Sequence, residues 1–322
     1  MISLPMLMQS LSLGMLWGIM ALGIFITFRF LNFADLTVEG SFVLGAAVAA
    51  RLITAGYDPL VSTLAAMTAG VLAGLVTGFL HTVMKIPPLL SGILTMTGLY
   101  SINLRVMGRA NISLTWGADT LMTRMAGFLG RFMTRIHGWF GSESVITVTT
   151  RDASIFVGVV FVTIVLVILR LFFNTEIGCV LRATGENEAM AKAQGVNTDR
   201  MKILGLMIGN ACVALSGALV FQQQQFADIG MGIGTIVIGL ASVIIGEVIF
   251  SDKNSHWVLF SVVLGSVLYR IIIAFVLQLG INPNDFRLFT AIMIAMALSL
   301  PTFRAKLNIH IRKLFWGNKD AA

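Results

Sequence analysis

Long apolar runs separated by short polar breaks organise the chain. They lie at about 4–28, 36–55, 60–83, 89–106, 154–173, 202–224, 229–250, 256–279 and 286–302, each near the ~20 residues that an α-helix needs to cross a bilayer. Unbroken runs, rather than short segments of alternating hydrophobicity, select helices over a barrel. The pattern predicts an all-α membrane protein: a polytopic helical bundle of about nine transmembrane helices in a single domain over residues 1–322. The first run lacks a basic segment ahead of it and is long enough to span, so it reads as a helix rather than a cleavable leader.

The breaks carry the polar chemistry. The first, Asn32 to Gly40, includes Asp35, Thr37 and Glu39. One reading makes it a short surface turn, with Asp35 as N-cap of the second span and Glu39 in its first turn. The other makes it a broken helix at membrane depth, where unwound backbone is tolerated only beside protein or a watery cavity. On the third span Gly70, Gly74 and Gly78 recur every fourth residue, the small-residue spacing that lets two helices approach closely; a contact within the chain is expected. The segment at about 107–153 mixes arginines with Trp116, Phe128, Phe132, Trp139 and Phe140, and Leu121 to Phe140 has helical apolar spacing. An amphipathic helix on the membrane surface accounts for it.

A short polar stretch between two spans is Thr184-Gly185-Glu186-Asn187-Glu188-Ala189-Met190-Ala191-Lys192-Ala193-Gln194-Gly195. It predicts a water-exposed helix of its own over about 186–194, a rod of about nine residues, ~13 Å long. Glu186 and Glu188 would sit in its first turn and Lys192 in its last, with Glu188 and Lys192 as an i,i+4 pair. Gly195 is placed to end it in a left-handed conformation, and Asn197, Thr198 or Asp199 to cap the next helix near Met201. By itself the stretch reads as a solvated loop helix without a partner.

Composition narrows the picture. Of 322 residues 57% are hydrophobic and 11% charged, with mean hydropathy +0.90, more apolar surface than a soluble fold of this size can hide. The net charge of +7 comes from lysines and arginines scattered between spans, with no basic face for nucleic acid. Arg29, Lys85, Arg182, Lys192, Arg200, Lys202, Lys253, Arg304, Lys306, Arg312, Lys313 and Lys319 fall on one predicted side, which the positive-inside rule makes cytoplasmic, together with the C-terminus. The 107–153 segment, with Arg109, Arg124, Arg131, Arg135 and Arg151, falls outside; long loops follow the rule poorly. Cys179 and Cys212 read as small buried thiols, and His81, His137, His256 and His310 give no metal spacing. Gly230, Gly232 and Gly234 make no nucleotide fingerprint and instead predict a helix that unwinds near its outer end. No phosphate-binding loop occurs, so any ATP would be hydrolysed by another chain. Arg270 is the one basic residue well inside a predicted span, ~21 Å up from its inner end, with Asp228 or Gln222–Gln225 as the nearest expected partners.

Residues 182–197 resemble the cytoplasmic coupling loop of ABC importer permeases in the branched-chain amino acid permease family, of the form R-A-x-x-E-N-x-x-x-A-x-x-x-G-[VI]-N. Asn32-Phe33-Ala34-Asp35 is similar to that family's N-F-A-[HD] segment. The wording from Asp35 to Ser41, and the run from Gly239 to Glu247, resemble a subgroup of bacterial members with poorly defined substrates. The resemblance covers about residues 10–300 and implies a type II ABC importer permease-like fold in a bacterial inner membrane. It implies a second permease copy, two ATPase subunits that bind ATP and Mg, and an extracellular substrate-binding protein, with no cofactor on this chain and no catalysis by it. Glu186, Asn187, Glu188, Ala189, Met190, Lys192 and Gly195 would couple to the ATPase. Arg124, Arg131 and Arg135 would dock the binding protein. Asp35, Glu39, Asn210, Gln222 and Arg270 are the candidate pathway residues. The expected cargo is a small polar solute, an amino acid first, with a sugar or nucleoside as the alternative. A secondary transporter driven by an ion gradient, or a non-transporting scaffold, are the rival classes.

Overall fold

The structure is a computed structural model that describes residues 4–114, 118–139, 149–249, 257–278, 288 and 292. Contacts divide the chain into two compact units, Met1–Phe275 and Val276–Ala322. The helical bundle belongs to the first; of the second, the described residues are 276–278, Leu288 and Ile292, all helical.

Helix α1 (Leu4–Phe25) runs on through a π-helical turn, Ile26–Phe30, into a break at 31–36. Asn32 takes φ 51° there, a left-handed conformation that asparagine tolerates. Then come α2 (Thr37–Thr54), α3 (Pro59–Thr82) and α4 (Pro88–Met107), a short strand β1 (Asn111–Ser113), and α5 (Leu121–Trp139). Helix α6 (Thr150–Phe173) leads into two short helices, α7 (Glu176–Glu186) and α8 (Glu188–Ala193). Helix α9 (Thr198–Gln224), strand β2 (Phe226–Asp228), a 3₁₀ turn at Ile229–Gly232, α10 (Thr235–Ile249) and α11 (Val258–Gln278) complete the order. Proline starts α3 and α4, where its missing N–H is not needed, and Asp58 caps α3 by accepting from Leu60 N at 2.8 Å.

Among the described residues seven helical segments are long and apolar enough to span: 5–30, 37–54, 59–82, 152–173, 198–224, 229–248 and 258–278. The expected count of nine is therefore not reached here. Helix α4 has 20 residues, but Asn103 and Arg105 lower its apolarity. The ninth run, 286–302, lies outside the described residues apart from two positions, as do Lys253 and the basic tail.

Helix α9 is the central post. It is apolar on every face, as a helix surrounded by others must be, and Leu206, Val213, Leu219, Val220 and Phe221 are fully buried. Hydrocarbon gives no hydrophobic drive for helix association, so close packing and interhelical hydrogen bonds hold the bundle. The glycine spacing on α3 serves this contact. A Cβ on Gly70, Gly74 or Gly78 would run into Asn210, Leu206 or Ile203 of α9. Gly45 of α2 lies in the same way against Ala214, and Gly23 of α1 against Gly209. Ser216 Oγ donates to Leu16 O at 2.7 Å.

Strands β1 and β2 pair antiparallel, Asn111 opposite Asp228, which ties the segments after α4 and α9 together at one end of the bundle. At the other end Lys85 pairs with Asp199 at 3.3 Å, so the α3–α4 turn meets the start of α9. The amphipathic segment expected over Leu121–Phe140 is α5, Leu121–Trp139, packed on α6 and α9; Phe140 lies outside the described residues.

Gly74→Leu should cost at least ~2 kcal/mol by overpacking and lower the melting temperature of the detergent-solubilised protein. Gly98→Ala on α4, where a Cβ meets open space, should raise it or leave it unchanged.

Candidate functional site

The polar stretch between α6 and α9 is two helices, not one. Asn187 adopts extended backbone (φ −151°, ψ 94°), and its side chain accepts from Met190 N at 3.0 Å. That Asn cap ends α7 and starts α8, because a local side-chain bond offers the backbone an alternative to continuing the helix. The expected rod over 186–194 is corrected accordingly. Glu186 is the last residue of α7, and α8 has 6 residues, ~9 Å of helix. Glu188 does lie in the first turn. Its carboxylate meets Lys192 Nζ at 2.8 Å and Lys202 Nζ at 2.7 Å, and these two ammonium groups hold its pKa down from 4.5 to about 2. Gly195 takes φ 82°, and Asn197 caps α9 by accepting from Arg200 N at 3.1 Å. Helix α9 thus begins at Thr198, three residues before the expected start. Ala189, Met190 and Lys192 are exposed, while Ala191 faces inward.

Helix α7 seats this peg on the bundle. Gly185 lies against the Phe30 carbonyl with no room for a Cβ. The Arg182 guanidinium sits 5.7 Å from the ring centroids of both Phe30 and Phe173 and donates to Phe173 O at 2.6 Å. The peg is therefore joined, through α7, to the π-helical turn that precedes the break at 31–36.

The break is buried at Leu31, Phe33 and Asp35 and exposed at Asn32. Asp35 is 2% exposed; its Oδ1 accepts from Thr37 N at 2.9 Å and its Oδ2 from Asn210 Nδ2 at 2.7 Å. Asn210 Oδ1 accepts from Ser41 Oγ at 2.7 Å, and Thr37 and Thr77 hydroxyls meet at 2.7 Å. Asn210 lies beside Gly70, the middle of α3, while Thr77 lies near the end of that helix and Asn32 is exposed, so the network runs from one end of α3 toward its middle. The N-cap position falls to Leu36, so Asp35 holds the turn from one residue earlier.

Of the five candidate pathway residues, Glu39 borders a cavity and the other four hold described elements together. Asp35 and Asn210 clamp α2 to α9. Gln222, 1% exposed, donates to Thr63 Oγ1 at 2.7 Å and accepts from Leu121 N at 3.0 Å, joining α9 to α3 and α5. The Arg270 guanidinium lies 4.0 Å from the Trp17 ring centroid, a cation–π contact between α11 and α1. It makes no ion pair among the described residues, so neither Asp228 nor the glutamine run is its partner. Glu39 is the exception. It borders a half-open cavity of about 320 Å³ between α2, α4 and the 3₁₀ turn, with Val43, Tyr100, Asn103, Ile229 and Ile233. Its Oε1 accepts from Gly234 N at 2.9 Å. Gly234 needs φ 85°, and Gly232 lies against the Glu39 carbonyl with no space for a side chain. These glycines let the unwound start of α10 reach α2, as the sequence leads one to expect.

Asn103, Tyr100 and Thr97 were not legible as site residues. They sit on an apolar helix whose rotation alone brings them to the cavity. The lone Asn within that run was the available signal.

The outer arginines divide. Arg124 bonds Asp58 and also Asp119, the latter at 2.6 Å, so it clamps the start of α5 to the α2–α3 corner and holds the Asp58 carboxyl below its usual range. Its guanidinium is thus paired with two carboxylates while the side chain stays half-exposed. Arg131 and Arg135 border a surface depression with Phe128 and Phe132, whose rings stack with centroids 6.4 Å apart.

The family described as branched-chain amino acid transport system / permease component matches residues 6–298. The tyrosine transport system permease protein of Clostridioides difficile (strain R20291) is 39% identical over 93% of this chain and 91% of its own length. The galactofuranose transporter permease protein YtfT of Escherichia coli (strain K12) is 29% identical over 60% of this chain and 50% of its own. The ribose import permease protein RbsC of the same strain is 23% identical over 77% and 69%. No solved structure matches the chain.

Glu188→Gln should loosen the peg. Its carboxylate pKa is depressed from 4.5 to about 2, so its stabilisation is present above pH ~4.5 and fades as pH falls toward about 2. At 38% side-chain exposure solvent screening limits it to on the order of 1 kcal/mol. Amide exchange across 188–195 should quicken several-fold at neutral pH in the variant, and in the wild type only under acid.

Proposed function

The chain belongs to the branched-chain amino acid transport system permease family, and from that premise we propose that it is the membrane subunit of an ATP-driven importer for an amino acid. As an ABC permease subunit it is a multi-pass membrane protein and not an enzyme, and its family pairs it with ATPase subunits. We place ATP and Mg on those subunits. A second copy of this chain completes the translocating unit, and an extracellular binding protein delivers cargo to the end that carries α5. The peg and the C-terminus face the cytoplasm.

The observation that carries this reading is the peg. Helix α8 projects Ala189 and the exposed Met190 from an anchored base, and a pliable apolar side chain on a short helix suits a groove on a partner. ATP-driven closure of the ATPases would push α8. Rigid α7 would pass the displacement through Gly185 and Arg182 to the π-helical turn and the break beyond it. The break lies next to the α2 start that carries Glu39, so the movement reaches the cavity wall and switches access from one side to the other.

An amino acid is favoured because the tyrosine permease covers nearly the whole chain at higher identity than either sugar permease. Import of a sugar is the second reading, carried by those two relatives. The ion-gradient alternative ends with membership in an ATP-driven family.

The tagged chain in mild detergent should retain an ATPase subunit, and uptake into proteoliposomes should require ATP. Met190→Glu should reduce ATPase retention about tenfold or more, as for a central contact in an interface, with the permease still folded. Normal retention in this variant would remove the peg from the mechanism. Labelled L-tyrosine against labelled ribose separates the two cargo readings.

A further inference from the structure

A second cavity lies at the end of the bundle that carries α7 and α8. It is a half-open groove of about 490 Å³ between α6 and the start of α11, lined among others by Thr163, Leu166, Val167, Arg170, Trp257 and Phe260. Arg170 stands in the last turn of α6, and Trp257 directly precedes α11, so both lie where a span meets water. Thr163 lies about two turns before Arg170, ~10 Å back along the helix, so the groove runs from the boundary into the hydrocarbon. Val167, Trp257 and Phe260 are exposed along it, and the Trp257 and Phe260 rings meet edge to face with centroids 6.0 Å apart. An indole at this level is an interfacial anchor. Arg170 is exposed and makes no hydrogen bond or ion pair through its side chain among the described residues. No carboxylate is among the described residues lining the groove. The site is thus one unpaired cation at headgroup level above an apolar gutter.

We propose that this groove is a binding site for an anionic phospholipid, such as phosphatidylglycerol, of the leaflet on the α7–α8 side. Arg170 takes the phosphate, for which a guanidinium offers paired donors, and an acyl chain lies along Val167, Leu166, Phe260 and Thr163. Basic sites between spans attract anionic headgroups because charge at the membrane surface is weakly screened at contact distance. A zwitterionic lipid brings its own cation beside Arg170 and gains less. A helix from a second copy of this chain is the rival occupant. Such a helix, about 10–12 Å across, needs about 800 Å³ over a ~10 Å length, more than the groove offers, and it would leave Arg170 without an anion. Phe173, one turn beyond Arg170, carries the Arg182 contact that seats α7, so the headgroup lies beside the base of the peg. The site requires only that the chain crosses the membrane with α7 and α8 in water, and it is independent of the cargo.

Trp257 is a built-in reporter. The full-length permease is reconstituted in phosphatidylcholine bilayers, and a rising share of the lipid is replaced by phosphatidylglycerol or phosphatidylcholine brominated near the glycerol end of the acyl chains. The Trp257 emission is taken as the difference between the wild type and Trp257→Phe. Brominated phosphatidylglycerol should quench it at an about fivefold lower membrane fraction than brominated phosphatidylcholine, the effect of one basic side chain near a charged surface. Arg170→Gln should make the two lipids equal, and Arg170→Lys should keep most of the preference. Arg170 has no side-chain partner among the described residues to lose, so both variants should fold as the wild type does. Equal quenching by the two lipids in the wild type, or a preference that survives Arg170→Gln, would overturn the proposal. Absence of quenching by either lipid would show that another helix covers the groove and would overturn it as well. Failure of the importer reading looks different: no ATPase retained on the tagged chain, or uptake that persists without ATP, whatever the lipid preference.

Discussion

Close approach of helix backbones around α9 is the constraint on which the rest of the structure depends. In hydrocarbon a helix gains nothing by hiding leucines from lipid, so association comes from contact and from hydrogen bonds. Gly70, Gly74 and Gly78 bring α3 against α9, and Gly45 and Gly23 do the same for α2 and α1. Polar clamps then fix the register: Ser216 to Leu16, Gln222 to Thr63, and Asn210 to Asp35. Each joins α9 to a different neighbour. A slip of one turn would leave several buried polar groups without partners, at ~1–3 kcal/mol apiece.

That rigid half makes irregular backbone tolerable elsewhere. Among the described residues two segments depart from helix inside the bundle, the break at 31–36 and the turn through Gly232 and Gly234. Neither could face lipid. The first is held by Asp35 and Thr37 against α9 and α3. The second is held by the Glu39 carboxylate. They meet at the start of α2, and the cavity lies where they meet. Half-helices ending near mid-membrane recur in transporters because they present backbone dipoles and polar side chains to a solute.

The same break is also connected to the peg through α7. Helix α7 lies on the Phe30 turn through Gly185 and Arg182, and the chain passes from that turn into Asp35 and Glu39 within ten residues. Helix α8 and the cavity are thus joined by a short, well-packed route.

The sequence by itself determined which stretches are helical, because hydrophobic runs and their breaks are local. It also placed the glycine face of α3, the amphipathic α5, the Glu188–Lys192 pair, the left-handed Gly195 and a cap for α9 among Asn197, Thr198 and Asp199, each set by residues within one or two turns. Local chemistry misled where two local options compete: Asn187 caps α8 and splits a stretch that otherwise reads as one rod. Only the tertiary structure decided the roles of the intramembrane polar residues. In sequence Asp35, Glu39, Asn210, Gln222 and Arg270 are alike, each a costly group in an apolar run. Three became clamps, one lies over Trp17, and Glu39 reached a cavity, while Asn103 joined it unannounced. The reason is geometric: the direction a side chain faces depends on how its helix is rotated against its neighbours, and that rotation is set by glycine contacts distant in the chain.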